Sequence, residues 1–226
     1  MEHVLDNPAW SALISGNKHL ANGNNIARYF DAEVSPFAAL KENTVENFAE
    51  LHVMVPGDKP ILFVTPTQME IPAGWMLLNQ ISGFQMVHNG RPLTTDSART
   101  IALTAEHIPQ MLALTKLTNP GPFGTRTIAF GHYRGIFEGD KLAAMAGQRL
   151  HAFNYQEVSA VCTHPDHLGK GYARRLLNYH INRIITEDGT PYLHVRNDNE
   201  RAIKVYKDLG FAIRMDVHFY VLQKLG

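Results

Sequence analysis

The stretch YQEVSAVCTHPDHLGKGYARRLLNYHINRII, residues 155–185, constrains the fold of this chain more than any other. Tyr155 to Thr163 reads as a strand, and Pro165 ends it. Gly169 and Gly171 then permit backbone conformations that side chains disfavour. Beyond them Leu177, Ile181, Ile184 and Ile185 recur on one helical stripe, which stops before Gly189. A strand that feeds a helix through a glycine turn requires a sheet with that helix laid on it. The turn also presents bare N–H groups, backed by the helix dipole, to an anion.

The flanking chain supplies the rest of such a sheet. "IALTAEHIPQMLALTKL" gives a short strand and a helix, with Ile108, Met111, Leu112, Leu114 and Thr115 on one face. "NPGPFG" breaks the chain, and "HYRGIFEGDKLAAMAGQRL" forms a hairpin turning at Glu138-Gly139-Asp140. After the central helix come a short strand, "YLHV", and a helix, "NERAIKVYKDLGF", with Asn199 as N-cap and Gly210 as stop. The tail alternates: Phe211, Ile213, Met215, Val217, Phe219 and Val221 fall on one face, and Arg214, Asp216, His218 and Tyr220 on the other. The order β, α, ββ, β, α, β, α, β predicts an α/β (α+β) protein with a mixed sheet covered by helices. This part runs from about residue 100 to 226. A first part, residues 1–90, reads as a short helix at "DNPAWSALI", irregular segments at "NGNNIARYF" and "VSPFAAL", a helix starting at "TVENFAELHVMV", and strands at "GDKPILFV" and "GWMLLNQISGFQMVHNG". Residues 88–100 have the composition of a linker.

Bulk properties exclude several functions. The chain has 226 residues, and its 21 Lys+Arg balance 21 Asp+Glu, which argues against nonspecific binding to nucleic acid or an anionic membrane. Cys162 is the lone cysteine, so an internal disulfide and a cysteine metal cluster are both ruled out. "HPDH" at 164–167 overlaps the anion turn and has no distant partner, so no metal site is expected. The first residues, "MEHVLDNPAW", lack the apolar core of a signal peptide, and no run of about 18 apolar residues is present to span a bilayer. A cytoplasmic protein is the expectation.

Three phosphate motifs compete for the turn. A Walker loop fails, because Gly171 follows Lys170 where Ser or Thr is needed and His164 occupies the first glycine position. The dinucleotide fingerprint lacks its third glycine, since Ala173 and Arg174 follow Tyr172. A strand ending in "VCTHP", then "LGKGYA", then an apolar helix resembles the acyl-CoA loop of the GNAT superfamily of N-acyltransferases. Gly171 and Ala173 match the last two fixed positions of that loop, and Leu168 stands where Gln or Arg is usual. "LHVRNDNERAIKVYKDLGF" is similar to the second signature of the family through Asn199, Ala202, Tyr206, Gly210 and Phe211. The resemblance covers roughly residues 100–226 and is nearest the glycine N-acyltransferase-like branch. In that branch an N-terminal portion resembling a degenerate second GNAT unit would account for residues 1–90.

The resemblance implies an N-acetyltransferase that uses acetyl-CoA as cosubstrate. Backbone N–H groups from Leu168, Gly169, Lys170, Gly171, Tyr172 and Ala173 would hold the pyrophosphate, with Lys170, Arg174 and Arg175 adding charge. Val161, Cys162 and Thr163 would pair with the pantetheine as an added strand, and Asn199 would bond to it while capping its helix. A covalent role for Cys162 is the weaker reading, because a lone Cys in an apolar strand is ordinarily a small buried hydrophobe. An alkylamine acceptor must lose a proton, which costs on the order of 4 kcal/mol at pH 7 without a base. Glu157, eleven residues before Leu168, and His194, five before Asn199, stand where family members carry their base. Tyr206 would protonate the leaving thiolate. The acceptor would be a small-molecule amine or a protein N-terminus. The alternative is a catalytically silent acyl-CoA-binding sensor.

Overall fold

The computed structural model describes residues 3–57, 59–94 and 100–226; residues 95–99 of the expected linker lie outside them. Its helices are α1 (Pro8–Ile14), α2 (Val45–Met54), α3 (Ile108–Thr118), α4 (Tyr172–Thr186) and α5 (Glu200–Asp208). Its strands are β1 (Ala21–Gly23), β2 (Ala27–Phe30), β3 (Ala38–Leu40), β4 (Ile61–Thr65), β5 (Trp75–His88), β6 (Ile101–Ala102), β7 (Arg134–Glu138), β8 (Lys141–Ala152), β9 (Tyr155–Thr163), β10 (Thr190–Arg196) and β11 (Phe211–Lys224). None of these helices is long and apolar enough to cross a membrane.

Eight strands form one sheet in the order β4-β11-β5-β10-β9-β8-β7-β6. Only β9 and β10 run parallel; the other neighbours are antiparallel. This is the mixed α/β fold that the order of elements predicts. The stretches 1–90 and 100–226 share the sheet: β5 lies between β10 and β11 and pairs with both.

Both faces of the sheet are covered. On one, the stripe of α4 (Leu177, Ile181, Ile184) and Ile203 of α5 bury against Met86, Val158, Leu193 and Val195. On the other, α1 and α3 cover Met145, Leu150, Cys162 and Tyr192. The N-terminus of α1 follows from its sequence: Pro8 opens the helix, and the Trp10 N–H donates to Asn7 Oδ1 at 3.2 Å. At the other helical end of the site, Asn199 Oδ1 accepts from the Ala202 N–H at 3.1 Å, and Gly210, at φ 93°, stops α5.

Two expectations are corrected. The segments 22–30 and 34–40, expected to be irregular, carry three short strands that form a small sheet, β1-β2-β3, beside α2, with non-strand chain between them. The tail does not alternate cleanly either. Arg214 is an extra residue between Ile213 and Met215 and breaks the period of two there, and Ile213 is exposed; Tyr220 and Leu222 are buried because α2 covers their face. β11 is the second strand of the sheet, flanked by β4 and β5.

Candidate active site

β9 and β10 pair only from Tyr155 to Glu157 and Thr190 to Tyr192, and beyond that point they separate. Ala160 adopts φ 51°, and the partners of Met145 and Gly147 are Cys162 and Ser159, so Ala160 is the extra residue of a bulge. The splay and the bulge open a cleft of about 980 Å³.

One end of the cleft is the glycine turn. Gly169 and Gly171 have φ 80° and 76°, and a Cβ built on either would meet nothing within 4 Å. Conformation, not crowding, calls for glycine here, and the space over the turn is open. Gly171 is the N-cap of α4 and supplies no side-chain cap, so the first N–H groups of a 15-residue helix are unspent. That is the donor set a pyrophosphate needs. Leu168 turns its side chain outward, 48% exposed, and its N–H is already given to the Pro165 carbonyl at 3.3 Å, so, against expectation, it is not a free donor of the turn. Lys170 is drawn aside: its ammonium meets Glu138 Oε1 at 3.0 Å, and the Tyr172 hydroxyl donates to the same carboxylate.

In the middle of the cleft stand Cys162, Asn199 and Tyr206. Burial pushes the Cys162 thiol up to about 12, and its Sγ donates to the Ala160 carbonyl at 3.4 Å. A thiol so held is not a nucleophile at neutral pH. Burial also pushes the Tyr206 phenol up to about 12, so it stays protonated. Its hydroxyl makes no hydrogen bond among the described residues, while its ring packs edge-on against Phe211 with centroids 6.0 Å apart.

The far end brings Glu157 and His194 together. The His194 Nδ1 lies 2.7 Å from Glu157 Oε1. Glu157 is fully buried and does not line the cleft. Arg149 grips it side-on, Nε to Oε2 at 2.9 Å and Nη2 to Oε1 at 2.5 Å, and the Leu150 N–H adds a bond at 3.2 Å. A bulge on β8 between Gln148 and His151 lets consecutive residues reach the one carboxylate. Burial alone would raise Glu157, but the charge of Arg149, then His194 and the hydrogen bonds, hold it far below the usual carboxylate range. His194 does line the cleft, with its side chain 2% exposed. Gln85 Nε2 approaches its other nitrogen, Nε2, at 3.2 Å.

Of the residues singled out in sequence, Val161, Cys162, Thr163, Leu168, Gly169, Gly171, Tyr172, Ala173, Arg174, His194, Asn199 and Tyr206 all line one cleft; Lys170 and Glu157 do not. Sequence reasoning missed Arg149, Arg196 and Arg201, the Asn119–Pro122 loop, and the apolar wall of Leu62, Ile81, Phe219 and Val221. Arg149 carried no readable signal, since an Arg in a hairpin strand reads as solvated until a bulge turns it inward.

Comparison with known proteins shows which family has this fold. The model of the FR47-like protein family matches residues 133–221. A putative acetyltransferase of the GNAT family from Novosphingobium aromaticivorans is 33% identical, and the match covers 99% of this chain and 100% of that one at TM-score 0.92. The chain belongs to the GNAT family of acetyltransferases. The N-alpha-acetyltransferase RimI of Mycobacterium tuberculosis is 36% identical over 84 residues, 35% of this chain and 51% of that protein. The chain thus spans about half the length of this relative, and 37% of a second, an uncharacterized protein of Mycobacterium leprae. A GCN5-related N-acetyltransferase from Kribbella flavida, 14% identical, shares the fold at TM-score 0.66 over 96% of this chain and 94% of that one.

Proposed function

We propose that the protein transfers an acetyl group from acetyl-CoA to a primary amine by direct attack, with both substrates bound at once. The observation that carries this reading is the continuity of one cleft, from the uncapped N-terminus of α4, past Tyr206, to His194. Acetyl-CoA supplies the activated acyl thioester. The N–H groups from Gly169 to Ala173 hold its pyrophosphate. The unpaired edge of β9 from Val161 to Thr163 takes its pantetheine by backbone pairing, and Asn199 bonds to it. Tyr206, protonated and without a protein partner, gives its proton to the departing sulfur.

His194 takes the proton of the attacking amine. Glu157 orients it rather than acting itself, because its oxygens are already bonded to Arg149, the Leu150 N–H and His194. No Asp or Glu lines the cleft among the described residues, whereas Arg149, Arg174, Arg196 and Arg201 do. Arg149 is offset by Glu157, Arg174 by Asp208 and Arg196 by Asp198. The lining thus has no acidic group among the described residues to hold a polycation, and it suits an amine with an apolar body, as a small molecule or a peptide N-terminus. The narrower placement in the glycine N-acyltransferase-like branch, and the reading of residues 1–90 as a degenerate second unit, form part of this proposal.

The test is a thiol-release assay with acetyl-CoA and a panel of amino acids, their amides, short peptides and polyamines. Amine-dependent CoA release, weakest for polyamines, is expected. Binding of acetyl-CoA by calorimetry without turnover of any amine would support the silent sensor instead, and no binding at millimolar concentration would end the CoA reading.

A further inference from the structure

We infer that Gln85, a residue outside the family-matched region, is a positioning residue that fixes the His194 ring with its proton on Nδ1 and its lone pair on Nε2. The catalytic meaning of this rests on His194 as proton acceptor; the ring state itself does not.

Gln85 is fully buried on β5 and sits directly opposite His194 in the β5–β10 register. Its amide has only one workable orientation. Oε1 accepts from Arg214 Nη1 at 2.8 Å, and Nε2 donates to the Leu5 carbonyl at 2.9 Å. A flipped amide would set its NH2 against a guanidinium and its oxygen against a carbonyl. The second amide hydrogen is therefore the one that faces His194 Nε2 at 3.2 Å, and that nitrogen must accept. The opposite nitrogen, Nδ1, then donates to Glu157 Oε1.

Arg214 is anchored in turn. It is the extra residue where the β11 register shifts between Ile213 and Met215, and its Nη2 meets Asp6 Oδ1 at 2.5 Å. The bulge turns inward a side chain that simple alternation would leave on the polar face.

The charged groups around the imidazole come from four segments: Glu157 on β9, Arg149 on β8, Arg214 on β11, and Asp6 before α1. Tyr192 and Phe219 stand edge-on to the ring at 5.6 and 5.5 Å. Arg149 pairs with the Glu157 carboxylate, and Gln85 sets an N–H donor against Nε2, which makes that nitrogen the acceptor of the ring.

Ring-nitrogen NMR of protein labelled in histidine tests this directly in the unmodified protein. At pH 7 His194 should show a protonated Nδ1 and a bare Nε2; a proton on Nε2 overturns the inference. Two variants add a functional readout. Gln85→Glu exchanges the donor for an acceptor. It should place protons on both ring nitrogens and lower kcat at pH 7 by roughly 10²-fold with KM for acetyl-CoA unchanged. Gln85→Met removes the donor without supplying an acceptor, so a population with its proton on Nε2 should appear and kcat should fall, by less than in Gln85→Glu. Equal losses in the two variants with an unaltered ring state would reduce Gln85 to a packing residue and overturn the inference. An unchanged kcat in His194→Gln would instead remove the catalytic reading of His194, a result separable from the ring state.

Discussion

His180 offers a prediction whose size can be worked out from its surroundings. It lies on α4, is fully buried, and has no hydrogen bond of acceptable geometry at either ring nitrogen. Burial pushes it down from the ordinary 6.5 to about 3; the nearby Arg183 charge adds to this, and the Ala146 backbone only partly offsets it. The native ring therefore stays neutral between pH 6.5 and 3, whereas the unfolded chain takes up a proton there. Because the folded value is the lower one, this contribution is intact above about pH 6.5 and is lost as pH falls. The slope is about 1.4 kcal/mol per pH unit, so moving from pH 8 to pH 5 costs about 2 kcal/mol through this residue. His180→Leu keeps a similar volume and removes the titrating group. Urea denaturation of both proteins at pH 8, 6.5 and 5 should show the variant gaining about 2 kcal/mol on the parent between the ends of the series. Parallel loss of stability in the two proteins would refute the reasoning, because it would mean that the native ring finds a partner or protonates in place.

Other outcomes follow from the site. Tyr206→Phe should lower kcat by roughly 10²-fold while leaving acetyl-CoA binding by calorimetry intact, since the ring contact with Phe211 survives. Cys162→Ala should retain turnover within about threefold, and the parent should resist iodoacetamide at pH 7, as expected of a buried, protonated thiol. Arg149→Met leaves the Glu157 carboxylate buried without its cation and should cost about 3–5 kcal/mol in denaturant unfolding; adding Glu157→Gln should recover part of that loss.

The parts of the site that lie along the chain were legible in sequence. The glycine turn, the α4 stripe and the Asn199 cap are local features, written in adjacent residues by turn and helix chemistry. The second half of the fold followed from their order. Other features were not legible, because they depend on register between distant strands. Arg149 and Arg214 are both turned inward by bulges, which no periodicity announces. Glu157 was chosen by spacing, but whether a strand carboxylate faces solvent or a buried guanidinium is settled by the neighbouring strand. Gln85 is one of several polar residues in its strand, and its meaning came only from Leu5, His194 and Arg214, each more than 75 positions away. The tail misled because alternation presumes one wet face, whereas α2 covers Tyr220 and Leu222 on the face expected to be polar.

The place of β5 in the sheet has a consequence for how the molecule assembles. Its two neighbours, β10 and β11, begin at Thr190 and Phe211, more than a hundred residues downstream. During synthesis this apolar strand emerges long before either partner and must wait with both edges unsatisfied. Pairings this far apart in sequence close large loops and fold slowly, and an open strand is the usual template for aggregation. The protein should therefore lean on chaperones more than its size suggests. Its cleft should also form last, in the same step that delivers β11, because Gln85, His194 and Arg214 become neighbours only when that strand docks.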